Sequence, residues 1–298
     1  MAFLAQAGAV VVPIPACLHG RPFTRADAVA AGLPAYVLRG SRFRRLFRGV
    51  YVCAGVPSSP ELDYDAARLL LPVDAAASHH LAALLRRLPV PAASCTHMCV
   101  PRPDREFEIE GLRVHRVSGD TPVVDVAGRR VTSAHVTFLA LAEVLALIDL
   151  VVLGDAMVRT GMITHEQLVQ AAAAGGGRGV RQARRAAALV RPRVDSPMET
   201  RLRLLLVLAG LPEPDTNQPA TGRQGQWLAT PDLRFEAERV VVEYDGRQQR
   251  DRAEQYERDL PRRELMDREG WQVIVACRAS ATYPLRRKRG TLSGCPCC

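Results

Sequence analysis

The segment from Thr230 to Asp245, TPDLRFEAERVVVEYD, holds the acidic residues whose spacing can do chemistry. Side chains alternate faces along a strand, so Asp232, Arg234 and Glu236 point one way and Leu233 and Phe235 the other. On the return strand Val240, Val242 and Tyr244 form an apolar set, opposite Val241, Glu243 and Asp245. A turn over Glu236 to Arg239 pairs Phe235 with Val240 and sets Asp232 across from Glu243. With strands ~4.8 Å apart and ~6.6 Å from Glu243 to Asp245, three carboxylates gather on one face. Acids held that close repel one another unless a cation sits among them, and an all-oxygen seat suits Mg²⁺ or Mn²⁺. The apolar reverse face is expected to pack on a helix.

That helix is written upstream as SPMETRLRLLLVLAGLPEP, with Ser196 as N-cap, Pro197 in the first turn, Gly210 as stop and Pro212 beyond. Met198, Leu202, Leu205 and Ala209 make its apolar stripe. Glu199 has two readings. It closes a capping box with Ser196, or it projects toward the acidic face as a further ligand of metal or water.

Near the amino terminus, FTRADAVAAG carries a second capping box, Thr24 with Asp27, and Gly32 as stop. LPAYVLRGS predicts another short helix, and FRRLFRGVYVCAG a strand, turn and strand around Gly49. Two short helices followed by an arginine-rich hairpin describe a winged helix-turn-helix. Its second helix is expected in a DNA major groove, with Arg39, Arg42, Arg44, Arg45 and Arg48 on phosphates.

Two resemblances attach to these residues. FTRADAVAAGL and RLFRGVYV resemble the amino-terminal domain of AbiEi-type antitoxins of type IV toxin–antitoxin systems, which implies DNA binding and a toxin or defence-system partner. Residues 196 to 275 look like the branch of the PD-(D/E)xK nucleases related to the very-short-patch-repair (Vsr) endonuclease. Ser196, Glu199, Asp232, VVVEYDG at 240 to 246, Asp259, Arg262 and GWQV at 270 to 273 carry that likeness. It implies a restriction-endonuclease-like αβββαβ core, with Asp232 and Glu243 holding Mg²⁺ or Mn²⁺. Asp245 stands where the superfamily usually has lysine, Glu199 is the helix acid, and Arg262 would face a phosphate or steady Asp245. Gln249 completes the implied catalytic set, in a place where related sequences commonly carry histidine. Val275 stands where an arginine usually follows the GWxV strand.

The implied activity is metal-dependent phosphodiester hydrolysis by a DNA-binding protein of phage-defence, toxin–antitoxin or repair character. The alternative is an antitoxin-like transcriptional regulator whose nuclease fold is inactive.

The 298 residues divide by composition into a leading segment (1–21), a winged-helix part (22–56), a mainly helical middle with a strand pair near 95–117 (57–190), and a nuclease-like part (195–298) whose tail diverges from 276. The fold class is α/β, α+β overall. A net charge of +9 rests almost wholly on arginine, Lys288 being the one lysine, and suits a polyanionic partner. No run is long and pure enough for a membrane helix; TFLALAEVLALIDLVVLGDAMV is broken by Glu143, Asp149 and Asp155 and reads as a buried helix pair. The opening apolar stretch lacks a basic leader, so a cytoplasmic location with reduced cysteines is expected.

Four other signals call for no special chemistry. Cys95, His97 and Cys99 share one strand face, but no second ligand pair lies nearby, so the thiols read as incidental. His79 and His80, being adjacent, fall on different helix faces and read as surface or cap residues. THEQL at 164 to 168 is a capping box, and Gly175 to Gly179 a hinge or turn.

Overall fold

The computed structural model describes residues 12–101, 106–245 and 261–277. The chain divides into two compact units. The first runs to Met157 and resumes over Met162–Ala188; the second takes Val158–Gly161 and continues from Leu189.

The first unit opens with a three-stranded antiparallel sheet in the order β1 (Phe23–Thr24), β3 (Val50–Cys53), β2 (Phe43–Phe47). Between β1 and β2 lies α1 (Arg25–Ala30), started by the expected capping box: Thr24 Oγ accepts from the Asp27 N–H, and Asp27 accepts from the Thr24 N–H. Those bonds from Thr24 hold the Asp27 carboxyl below the ordinary range. The second expected helix is a five-residue 3₁₀ turn, Ala35–Arg39. Pro34 and Gly40 bracket it too closely for an α-helix, and the 3₁₀ form is the one used in such short pieces.

Beside its helices, the middle of the chain carries more strands than the one expected pair. It carries a five-stranded mixed sheet ordered β6 (Leu112–Val117), β5 (Thr96–Pro101), β4 (Ala76–Ala77), β8 (Arg129–Thr132), β7 (Val123–Val126). The anticipated pair near 95–117 is β5 and β6, and it is parallel. β7 and β8 form a hairpin turned by Ala127 and Gly128, both at positive φ. Helices α2 (Pro60–Arg68) and α3 (His79–Leu85) contribute Tyr64, Leu81 and Leu85 to a core with Met98, Val100 and Val131. Phe47 and Val50 of the arginine-rich hairpin enter that same core, which ties the two regions together.

The expected buried helix pair is α4 (Ala134–Leu141) and α5 (Leu147–Arg159). α6 (His165–Ala174) begins with the Thr164–Gln167 capping box. The glycine run is the loop before α7 (Val180–Leu189), and there Gly179 is obligatory. Its φ is +78°, and a Cβ would lie 2.8 Å from the backbone of Ala142 and Glu143.

The second unit is built on α8 (Pro197–Leu208) and a sheet ordered β14 (Gln272–Cys277), β13 (Val240–Asp245), β12 (Leu233–Phe235), β9 (Asp215–Thr216). β9, β12 and β13 run antiparallel, while β14 is parallel to β13. A small hairpin, β10 (Ala220–Thr221) with β11 (Trp227–Ala229), precedes β12, and helix α9 (residues 261–268) precedes β14.

Both faces of this sheet are covered. Leu233, Val242 and Ala276 pack with Leu202 and Leu206 of α8, and Val241 packs with Met266 and Trp271. Of the expected stripe on α8 only Leu202 is fully buried: Met198 and Leu205 are half-buried and Ala209 is exposed, whereas Glu199, Thr200, Arg203 and Leu204 are buried. Arg203 is fully buried because its guanidinium donates to Glu213 at 2.9 Å and to the Leu189 carbonyl at 2.8 Å.

Candidate active site

The 233–242 hairpin forms in the expected register, with Phe235 opposite Val240 and Leu233 opposite Val242 about the Glu236–Arg239 turn. Carrying that register on by one residue sets Asp232 opposite Glu243. Asp232 is half-buried, and its Oδ2 accepts from the Tyr244 N–H at 2.7 Å. Burial raises its pKa; the Tyr244 bond and Arg262 oppose the rise, while the charges of Glu199 and Asp195 add to it. A partly dry carboxylate flanked by other acids is a site that gains from a cation.

Glu199 sits in the first turn of α8, 8% exposed. Its N–H donates to Ser196 Oγ at 3.2 Å, so Ser196 caps the helix as expected. The return bond of a capping box is not made to Ser196. Glu199 Oε2 instead accepts from the Asp195 N–H (2.9 Å) and from Asn217 Nδ2 (3.0 Å). Its carboxylate stabilises the helix entry and also places a negative charge near Asp232.

Arg262, at the start of the described part of α9, forms an ion pair with Glu243. Asp245 closes β13, level with Cys277 of β14. Gln249 and Asp259 lie outside the described residues, as does Gly246.

The amino-terminal arginines divide by what they touch. Arg44 donates to Ser58 Oγ (2.9 Å) and to the Val56 carbonyl (3.0 Å), so it pins a loop and is not available to phosphate. Arg45 lies 3.7 Å from Glu110, both exposed, and Arg42 stands over the Phe43 ring at 5.7 Å. Arg39 and Arg48 are exposed.

The sequence reading of the histidines is overturned. His79, His80 and His97 are buried, at 6%, 8% and 7% exposed. His79 starts α3 with a positive φ of 48°, its ring stacked on that of His115 at 3.9 Å between centroids. His97 Nδ1 lies 2.9 Å from His115 Nε2. Among the described residues these three form the one trio of His, Cys, Asp or Glu whose ligand atoms all lie within 4.8 Å of one another. Burial, followed by the neighbouring histidines, pushes His79 down to about 3 and His97 to about 4, so the cluster is uncharged at neutral pH. Adjacency in sequence hid this, because His79 takes a left-handed backbone that breaks ideal helical spacing. The readable signal was period-two placement of Cys95 and His97 beside a second strand that carries His115.

No protein-family model matches this chain, and no characterised protein matches it significantly. Among the described residues no helix is long and apolar enough to cross a membrane.

Proposed function

We propose that this protein binds DNA and that its second unit is a metal-dependent endonuclease of the PD-(D/E)xK type. The observation that carries the reading is Asp232, half-buried beside Glu199 and one step beyond a register that faces Glu243. The order α8, β9, β12, β13, α9, β14, with the last strand parallel, agrees with the αβββαβ core implied by the sequence resemblance.

Asp232 and Glu243 would hold Mg²⁺ or Mn²⁺. Two carboxylates with water and substrate oxygens are a usual set for Mg²⁺. When bound, the ion supplies a lowered pKa for attacking water and neutralises charge on the phosphoryl oxygens. The chain's own residues do the rest. The Tyr244 N–H fixes the Asp232 carboxylate through Oδ2. Glu199 keeps Asp232 in want of a cation. Arg262, held by Glu243 before DNA arrives, can transfer its guanidinium to a phosphate. Arg39 and Arg48 offer further phosphate contacts.

Nicking of supercoiled plasmid in Mg²⁺ or Mn²⁺ tests the reading, with Asp232→Ala and Glu243→Ala alongside. Activity in the parent and loss in both variants is the expected result. Equal nicking by all three proteins would refute it.

The Arg262–Glu243 pair also favours a second reading, an antitoxin-like regulator whose nuclease fold is inactive, because the pair occupies one metal-seeking carboxylate. That reading requires sequence-selective duplex binding that survives EDTA and both substitutions.

A further inference from the structure

We propose that His79, His97 and His115 form a binding site for a late first-row divalent cation of the Zn²⁺ class, separate from the carboxylates of the second unit. The three rings come from three elements of the first unit: the start of α3, the start of β5 and the middle of β6. Their ligand atoms lie within 4.8 Å of one another. A tetrahedral centre with Zn–N bonds of about 2.0–2.1 Å needs nitrogens about 3.3 Å apart. His97 Nδ1 and His115 Nε2, at 2.9 Å, are already inside that spacing. The stacked rings need only tilt apart about their side-chain bonds to face one centre.

The outer nitrogens are engaged in the way that orients ligating imidazoles. Ser78 Oγ lies 3.2 Å from His79 Nδ1, which leaves Nε2 for a ligand. Cys95 Sγ lies 3.4 Å from His97 Nε2, which leaves Nδ1. A fourth imidazole, His80, is buried with its ring 5.4 Å from that of His97, and its Nδ1 has no hydrogen-bond partner. Burying several imidazoles where leucine or phenylalanine would pack leaves polar atoms to be satisfied, and a shared cation satisfies them. The donor set selects the ion. Neutral nitrogens suit Zn²⁺, Co²⁺ and Ni²⁺ and offer little to Mg²⁺. Arg113 is the charged residue bearing on all three rings; it opposes any cation, so affinity must come from the lone pairs themselves.

The full chain, with Cys295, Cys297 and Cys298 replaced by serine to remove tail thiols, is stripped with EDTA and titrated with Co²⁺, then Zn²⁺. Saturable uptake of Co²⁺, with visible bands displaced by Zn²⁺, is expected. His115→Gln should weaken uptake more than about 100-fold, beyond what loss of an outer partner costs. Asp232→Asn removes any Co²⁺ held by the proposed carboxylate site and should leave the Zn²⁺-displaceable bands of the histidine site in place. Nitrogen-15 spectra of the unsubstituted histidines provide a second measure that needs no variant: Zn²⁺ must shift the ring nitrogens of all three. No saturable uptake, uptake indifferent to His115→Gln in a protein with native circular dichroism, or unmoved ring resonances would each overturn the site.

Discussion

Asp232→Asn should make the protein more stable while removing its proposed activity. In the folded chain the Asp232 carboxyl has a raised pKa, set first by burial and then by the charges around it. Between the unfolded value near 3.9 and the folded value, the native state holds more protons than the unfolded one, so stability falls as pH rises. Above the folded value the full penalty is present. Asparagine keeps an oxygen to accept the Tyr244 N–H bond of 2.7 Å and removes the charge that Glu199 and Asp195 oppose. Relieving a site strained for function commonly returns about 0.5–2 kcal/mol. Urea unfolding of the two proteins, without divalent ions, should show that gain at pH 7, shrinking toward zero below about pH 3.5, where the wild-type acid is itself protonated. A variant less stable at pH 7, or a gain independent of pH, would show that the charge at Asp232 is not what the fold resists.

Four other substitutions probe the scaffold and the proposed DNA face. Arg203→Ala removes a buried guanidinium from Glu213 and the Leu189 carbonyl, and should cost about 3–5 kcal/mol in urea unfolding of the second unit. Arg39→Ala and Arg48→Ala should each lower duplex affinity and reduce the salt slope by about 1, measured by fluorescence anisotropy across salt concentrations. Arg44→Ala should leave that slope unchanged and lower the unfolding midpoint instead, because Arg44 is spent on Val56 and Ser58.

What was legible in the sequence was local. The capping boxes at Thr24 and Thr164, the turn over Glu236–Arg239 and the α4–α5 pair all depend on residues within a few positions of one another. The mixed sheet was not legible, since β4 is only Ala76–Ala77 and joins strands whose partners lie far along the chain. Nor was the burial of Arg203 and the histidines. A charged or polar residue reads as exposed until the groups that satisfy it arrive from elsewhere, as Glu213 does for Arg203 and His115 for His79. The face of α8 was misjudged for the same reason: Glu199 is drawn inward by Asn217 and the Asp195 N–H, and the apolar positions rotate with it.

The parallel pairing of β13 with β14 sets a timetable for biosynthesis. Antiparallel β12 and β13 can zip up as soon as both have left the ribosome, but the flank of β13 stays bare until Gln272–Cys277 emerges and doubles back. Until then Val240–Asp245 is an uncovered, valine-rich edge able to recruit another nascent chain. A chain halted before β14 would therefore expose this edge even though its β12–β13 hairpin had already closed.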